Sequence, residues 1–255
     1  MSLEVRHMTV AGSTEEGAPI VVLLHGFGGG PEDLAPFASS MGLGARFVFP
    51  AGPIELSAAA AGAGSAAVTR ESPAAPARAW WPIDVDARDA AMARGEERDL
   101  SALDPDGLPA ARDALVALLD DVERELGPAP LIVGGFSQGA MLACDVVLRT
   151  GRPVAGVVIL SGARICAPEW NPRLAAHGRD RVSPGGLPVF VSHGRRDAHL
   201  SFAAADAFQK DLAAAGWRVT WRPFDGGHEI PLVVLRALKK FLRETFEAAR
   251  LTATP

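Results

Sequence analysis

Tyrosine is absent from this chain of 255 residues, aromatic side chains make up only 6% of it, and cysteine occurs twice. Two cysteines in a chain of this size do not make a disulfide framework. Cys144 reads as a small buried hydrophobe inside an apolar helix, and a pairing with Cys166 stays open. Positive charge is also short, with 25 Lys and Arg against 30 Asp and Glu, a net charge of −5. That balance supplies no basic patch for nucleic acid and no charged tail. No apolar run approaches the roughly 18 uninterrupted residues of a membrane span. Met1 to Val10 carries Glu4, Arg6 and His7 and so lacks the apolar core of a secretory signal. No repeat and no second domain is visible. The expectation is one domain over residues 1–255, soluble and cytoplasmic. The excess of Arg over Lys and of Ala over Asn reads as coding bias rather than function.

What is present is a chain with 48% hydrophobic residues, enough for one sizeable core. Short apolar runs predict strands at Leu3 to Val10, Ile20 to Leu24, Arg46 to Pro50, Leu131 to Val133, Val154 to Leu160, Leu187 to Ser192 and Arg218 to Phe224. Between them, helical spacing is read at Pro31 to Ser40, at Leu108 to Leu126 and at Gln138 to Leu148. Phe202, Ala205, Phe208 and Leu212 stripe a further helix, and Leu235, Leu238, Leu242 and Phe246 stripe the last. Continuously apolar strands between helices imply an α/β fold, a mostly parallel sheet covered on both faces. Residues 53–79 break this pattern, being rich in Ala, Gly, Ser and Pro, and read as an inserted surface loop or a lid. Trp80 and Trp81 follow, and they either cap the core or wall an apolar pocket.

Leu131 to Met141 reads LIVGGFSQGAM, an apolar run ending in G-x-S-x-G with a helix-forming run after it. This is the layout of a nucleophile elbow, a sharp strand-to-helix turn that holds the Ser137 hydroxyl clear of the sheet. Gly135 and Gly139 are needed because a Cβ would collide where the turn closes. A serine hydroxyl is a poor nucleophile at neutral pH and needs a base, which needs an orienting acid. His228 lies in FDGGHE directly after the last expected strand, and Asp197 in SHGRRD just past the strand before it. The order Ser137, Asp197, His228 is the one such sheets use. Asp225 is too near His228 in the same loop, His193 ends a strand, His199 adjoins a helix and His177 is placed in a polar loop.

His25 to Gly30, HGFGGG, follows the strand Ile20 to Leu24. Its glycines allow close backbone approach, so the N–H of Phe27 together with that of Gln138 would form an oxyanion hole. A phosphate loop is rejected because the run lacks G-x-G-x-x-G and G-K-[ST]. A metal site from His25, His193, His199 and His228 lacks ligand spacing, so no metal and no cofactor is expected.

The set LLHGFGGGPEDL, GGFSQGAM, SHGRRDAHLSF and GGHEI resembles the phospholipase/carboxylesterase family of α/β-hydrolases, from about Ile20 to about Phe246. The resemblance implies the α/β-hydrolase fold, with Ser137 as nucleophile, Asp197 and His228 as its partners, and the Phe27 and Gln138 N–H groups as oxyanion hole. Ala79 to Asp84, AWWPID, is similar to the family segment near the site, which implies that Trp80 or Trp81 binds substrate. The long Ala-rich stretch before Trp80 departs from the compact members. The expected activity is metal-independent hydrolysis of short- to medium-chain acyl esters through an acyl-enzyme, with a small-molecule ester as the partner. The same residues would serve an acyl-thioesterase, a lysophospholipase or a perhydrolase. A dienelactone-type hydrolase usually presents cysteine, and a peptidase usually brings a second, screening domain. A non-catalytic ligand-binding homologue would have a broken triad or an obstructed elbow. Homodimers are common in the family, but no self-complementary patch here argues for one.

Overall fold

A computed structural model describes residues 8–57, 76–178 and 186–253. Chain order is β1 (Met8–Gly12), β2 (Ile20–Leu24), α1 (Pro31–Leu34), α2 (Pro36–Met41), β3 (Arg46–Pro50), β4 (Ile54–Glu55) and β5 (Arg78–Ala79). It continues with α3 (Val85–Ala93), α4 (Leu108–Leu126), β6 (Leu131–Phe136), α5 (Gln138–Thr150), β7 (Gly156–Leu160) and α6 (Ala167–Gly178). The last elements are β8 (Pro188–Gly194), α7 (Phe202–Ala214), β9 (Arg218–Phe224) and α8 (Leu232–Ala253).

Seven strands form one sheet in the order β1-β3-β2-β6-β7-β8-β9, parallel throughout except for β1, which runs antiparallel to β3. Alternate residues of the buried strands face opposite layers. Val22, Leu24, Val133, Val157 and Val189 pack with α4 to α7, while Val21, Leu23, Ile132, Val158 and Phe190 pack with α1, α2 and α8. The three-layer α/β expectation therefore holds.

Where the elements depart from the expected ones, the causes are local. The helix read over Pro31 to Ser40 is two short helices, because Pro36 cannot donate to a continuing turn and instead opens α2. The strand under Ser137 runs on through Gly134 and Gly135 to Phe136, since both glycines pair in register with β2 and β7. A Cβ at Gly134 would sit 2.4 Å from the Val158 carbonyl oxygen, so close strand approach overrides glycine's poor strand propensity. α3 and α6 went unread, and His177, expected in a loop, lies in the last turn of α6 with its Nε2 bonded to the Leu148 carbonyl. Residues 58–75 of the expected loop or lid lie outside the described residues, as do 3–7 of the first expected strand. The ends of that loop, β4 and β5, pair as an antiparallel ribbon, and Arg78 exchanges backbone bonds with Gly28 and Gly29. Both cysteines are free thiols. Among the described residues no helix is long and apolar enough to cross a membrane.

Winding reverses between β2 and β6: β3 lies on one side of the pair, and β7, β8 and β9 on the other. A crevice opens beyond the carboxyl ends of strands at such a reversal, and ligands bind there. His25 and Ser137 are the residues that follow β2 and β6.

Candidate active site

Ser137 has φ 53° and ψ −118°, a conformation rare for a residue with a side chain and held only by its surroundings. Its N–H donates to the Leu160 carbonyl at 2.9 Å, and its own carbonyl accepts from Ala140 and Met141. A Cβ at Gly135 would lie 2.5 Å from the Leu24 oxygen, and one at Gly139 2.4 Å from the same atom. The elbow therefore closes against the end of β2, and the hydroxyl stands at a half-buried, accessible position.

The acid and the histidine come from two loops stitched backbone to backbone. Arg195 and Arg196 donate to the carbonyls of Phe224 and Gly226, and a Cβ at Gly194 would lie 2.1 Å from the Gly227 oxygen. His228 Nδ1 lies 2.7 Å from Asp197 Oδ2, and Nε2 lies 2.8 Å from Ser137 Oγ. A carboxylate can only accept, so Nδ1 carries the proton and Nε2 accepts from the serine hydroxyl. Asp197 Oδ1 accepts from the N–H groups of His199 and Leu200 at 2.8 and 2.9 Å, which fixes the carboxylate plane. Asp225 points elsewhere, 4.0 Å from Arg196 on the surface.

Burial works against the Asp197 charge, but the His228 hydrogen bond, both neighbouring histidines and the Leu200 N–H outweigh it and hold the carboxyl below its ordinary range. His193, whose side chain is fully buried, approaches Asp197 Oδ2 at 3.3 Å and donates from Nε2 to the Leu200 carbonyl at 3.2 Å. Burial pushes His193 below its ordinary value, with Asp197 opposing. Among the described residues its Nδ1 has no hydrogen-bond partner. A histidine kept neutral in the fold but free to protonate when unfolded makes stability rise with pH. We therefore expect the urea midpoint to fall on acidification from pH 7 to pH 5. The His193 contribution to the slope is at most about 1.4 kcal/mol per pH unit, beginning near the unfolded histidine value of about 6.5. A flat midpoint over that window would contradict a neutral buried His193.

The loop after β2 supplies the other wall. A Cβ on Gly26 would be 3.2 Å from Ser137 Cβ, so the loop backbone lies directly against the serine. Among the described residues neither Phe27 N–H nor Gln138 N–H donates to a protein acceptor, as at the open end of a helix. His25 is buried at 1% exposure: Gly52 N–H donates to its Nε2 at 2.8 Å, and its Nδ1 donates to the Gly26 carbonyl at 2.7 Å. It braces the loop.

Trp80 and Trp81 are 0% and 2% exposed and pack in the core. Sequence reasoning left pocket wall and core cap open, and burial places both on the core side. Trp80 Nε1 donates to the His25 carbonyl and its N–H to Gln138 Oε1, both at 2.9 Å, while Gln138 Nε2 donates to the Trp81 carbonyl at 2.8 Å. The segment thus ties the glycine loop to the elbow helix. Trp80→Phe should cost about 1–3 kcal/mol, since it strands a buried carbonyl. Acyl-length preference should not change, and a shifted preference with unchanged stability would return Trp80 to the pocket.

Sequence reasoning missed the segment from α3 to α4, which crosses the edge of the site. Asp84 caps α3 by accepting from the Ala87 N–H at 2.9 Å, a cap legible in the sequence had the helix been suspected. Arg88 sits with its guanidinium carbon 5.9 Å from the Phe27 ring, and Arg98 Nη1 donates to the His199 carbonyl at 3.2 Å. Among the described residues no group of three or more His, Cys, Asp or Glu is arranged to hold a metal.

The sheet order and the elbow define the α/β-hydrolase fold. Residues 101–246 match the phospholipase/carboxylesterase family, more than half of the chain, and the chain belongs to that family. The matched span contains Ser137, Asp197 and His228; the glycine loop and the tryptophans precede it. Acyl-protein thioesterase 1 of Aspergillus fumigatus is 24% identical over 144 residues, 55% of this chain and 58% of that protein, so the match spans under two thirds of that relative. The crystal structure of esterase PE8 superposes with a TM-score of 0.69 at 24% identity, covering 96% of this chain and 100% of that one. Acyl-protein thioesterase 2 of Zea mays gives 0.65 at 19% identity, covering 94% and 99%. At these identities the structural likeness speaks for the fold alone.

Proposed function

We propose that the protein is a serine ester hydrolase acting on short- to medium-chain acyl esters. The observation that carries this reading is the unbroken hydrogen-bond chain from Asp197 through His228 to the half-buried Ser137 hydroxyl. Ser137 Oγ attacks the ester carbonyl while His228 Nε2 takes its proton, and Asp197 holds the tautomer and stabilises the imidazolium. The carbonyl oxygen becomes an oxyanion that accepts from the N–H groups of Phe27 and Gln138. Collapse expels the alcohol, protonated by His228, and leaves the acyl group on Ser137 Oγ. Water then attacks that acyl-enzyme with His228 as base, releasing the carboxylic acid and restoring the hydroxyl. No cofactor enters this sequence.

A short acyl group is favoured because the large apolar side chains nearby are already packed. Phe27, Phe136, Trp80 and Trp81 are each no more than 8% exposed, which leaves little open apolar wall for a long chain among the described residues. The test is steady-state hydrolysis of p-nitrophenyl esters from acetyl to palmitoyl. Turnover peaking at short chains supports the reading. A peak at long chains would favour acyl-thioester or lysophospholipid substrates, of which the thioesterase relatives' names suggest the former. No turnover by the folded protein would point to a ligand-binding role.

A further inference from the structure

Asp197 has a second imidazole against it besides that of His228. His193 lies near the end of β8, a strand paired with β7 on one side and β9 on the other, and it stands in register with Pro223 of β9. The side chains of His193 and Asp197 are both fully buried. His193 Nε2 lies 3.2 Å from the Leu200 carbonyl oxygen and 3.3 Å from Asp197 Oδ2, while Nδ1 has no hydrogen-bond partner among the described residues. A carbonyl and an ionised carboxylate can only accept. With two acceptors at one ring nitrogen and none at the other, the network assigns the proton to Nε2.

That one N–H serves the whole turn that carries the acid. Leu200 donates its own N–H to Asp197 Oδ1 at 2.9 Å, and its carbonyl accepts from His193. The same Nε2–H lies beside Oδ2, the oxygen that accepts from His228 Nδ1 at 2.7 Å. The ring itself is held edge-on to Phe202, with centroids 6.3 Å apart and planes at 61°. Two effects on His228 follow. The pinned turn keeps Oδ2 aligned with Nδ1. The partial positive charge on the His193 N–H makes Oδ2 a weaker partner for the imidazolium, so His228 is less basic than a carboxylate alone would make it. A general base must be unprotonated at the working pH, and this placement favours that state.

The titratable and charged groups around His193 are few. Asp197, His228 and His199 come from the two loops, and Arg98 reaches the His199 carbonyl. Arg195 stacks on Phe202. The flanking strands place Pro223 and Ser161 beside it, and neither titrates.

We propose that His193 is a positioning residue for the hydrolytic chemistry: its Nε2–H clamps the Asp197 turn and, by sharing Oδ2, holds down the basicity of His228. The inference rests on the ester-hydrolase reading and adds to it a residue outside the triad.

The test is the pH profile of kcat/KM for 4-nitrophenyl butyrate in the parent and in three variants, each checked for folding by circular dichroism, with His199 intact throughout. His193→Leu removes the donor. It should move the acid limb up by about 0.5–1 pH unit and lower the plateau by about three- to tenfold. His193→Asn should behave like leucine, because its amide stops at the position of Nδ1. His193→Gln carries an amide N–H to the position of Nε2 and should return the limb toward the parent. A limb that stays in place or moves down in the folded Leu and Asn variants overturns the inference, whatever the plateau does, because loose packing alone lowers a plateau without raising a base's proton affinity. Failure of Gln to restore the limb overturns it too. Nitrogen-15 NMR of the histidine-labelled parent gives a reading that needs no folded variant. His193 should appear as the neutral Nε2–H tautomer at pH 7, and an Nδ1–H tautomer or an imidazolium there overturns the inference while leaving the ester-hydrolase reading intact. Absence of turnover by the parent on every ester removes that reading, and the inference with it.

Discussion

Ser137→Ala is expected to lower kcat/KM for a p-nitrophenyl ester by about four to six orders of magnitude, because the acyl-enzyme route is lost outright. What remains is the background provided by binding and the oxyanion donors. The fold should survive. The Ser137 side chain is half-buried, and its hydroxyl takes part in one bond, to a histidine that water can reach in its place. Stability should therefore change by no more than about 1 kcal/mol, the range of a substitution that creates no cavity and buries no orphan charge. A circular dichroism melt beside the assay separates loss of chemistry from loss of structure. Turnover within tenfold of the parent in a folded variant would remove Ser137 as nucleophile. A fluorophosphonate probe gives the complementary result: one adduct on the parent, at Ser137, and none there on the variant.

Asp145→Ala is expected to cost about 3–5 kcal/mol, a large share of the 5–15 kcal/mol typical of a whole domain. Asp145 stands inside α5 with its carboxylate fully buried, paired with Arg112 at 3.0 Å and Arg149 at 2.8 Å. It also accepts from Trp170 Nε1 at 2.9 Å. These partners belong to α4, α5 and α6, so one carboxylate ties three helices of the layer behind Ser137. Alanine would remove the carboxylate from two guanidiniums whose side chains are 17% and 19% exposed, leaving Arg149 only the exposed Glu169 carboxylate at 3.4 Å, and would strand a buried indole N–H. Breaking such a cluster costs far more than the intact cluster contributes over an apolar one, because the remaining charges stay buried. Asp145→Asn keeps acceptors without the charge and should cost less, which preserves the test if the alanine variant does not fold. Urea unfolding measures both. A loss under about 1 kcal/mol for alanine would mean that water or rearranged side chains satisfy the arginines.

Asp145 also shows where pattern reading stops. Gln138 to Leu148 reads as apolar almost all round, which predicts a buried helix, and α5 is indeed buried from Gln138 through Leu148. The same pattern gives no way to see that its one carboxylate goes in as well. Arg149 lies one helical turn on, at i+4, but Arg112 and Trp170 are distant in the chain, and only the packing of three helices makes them neighbours. α3 was missed for a related reason. It buries only Arg88, so it lacks the apolar stripe that reveals a helix.

Other features were legible because they are local. Ile20–Leu24 and Arg46–Pro50 have the bounds that their runs predict, since burial on both faces leaves continuous apolar sequence. Leu108–Leu126 and Arg218–Phe224 also have their expected bounds, the first from its one-faced apolar stripe. The elbow was legible too, because its glycines answer to contacts with one neighbouring strand end. Position along the chain also favoured Asp197 over Asp225, and His228 over the other histidines.

By itself, then, the sequence determined the α/β class and the candidates Ser137, Asp197 and His228, because strand periodicity, turn sterics and chain order are short-range properties. Tertiary structure alone decided that Trp80 and Trp81 are buried ties between the glycine loop and Gln138 rather than exposed walls. It also decided that Asp145 gathers two arginines, and that Arg98 reaches the His199 carbonyl. Those outcomes depend on which distant segments share a surface and how much water is excluded there. Burial, ion pairing and shifted proton affinity are properties of that shared surface and not of any single run of residues.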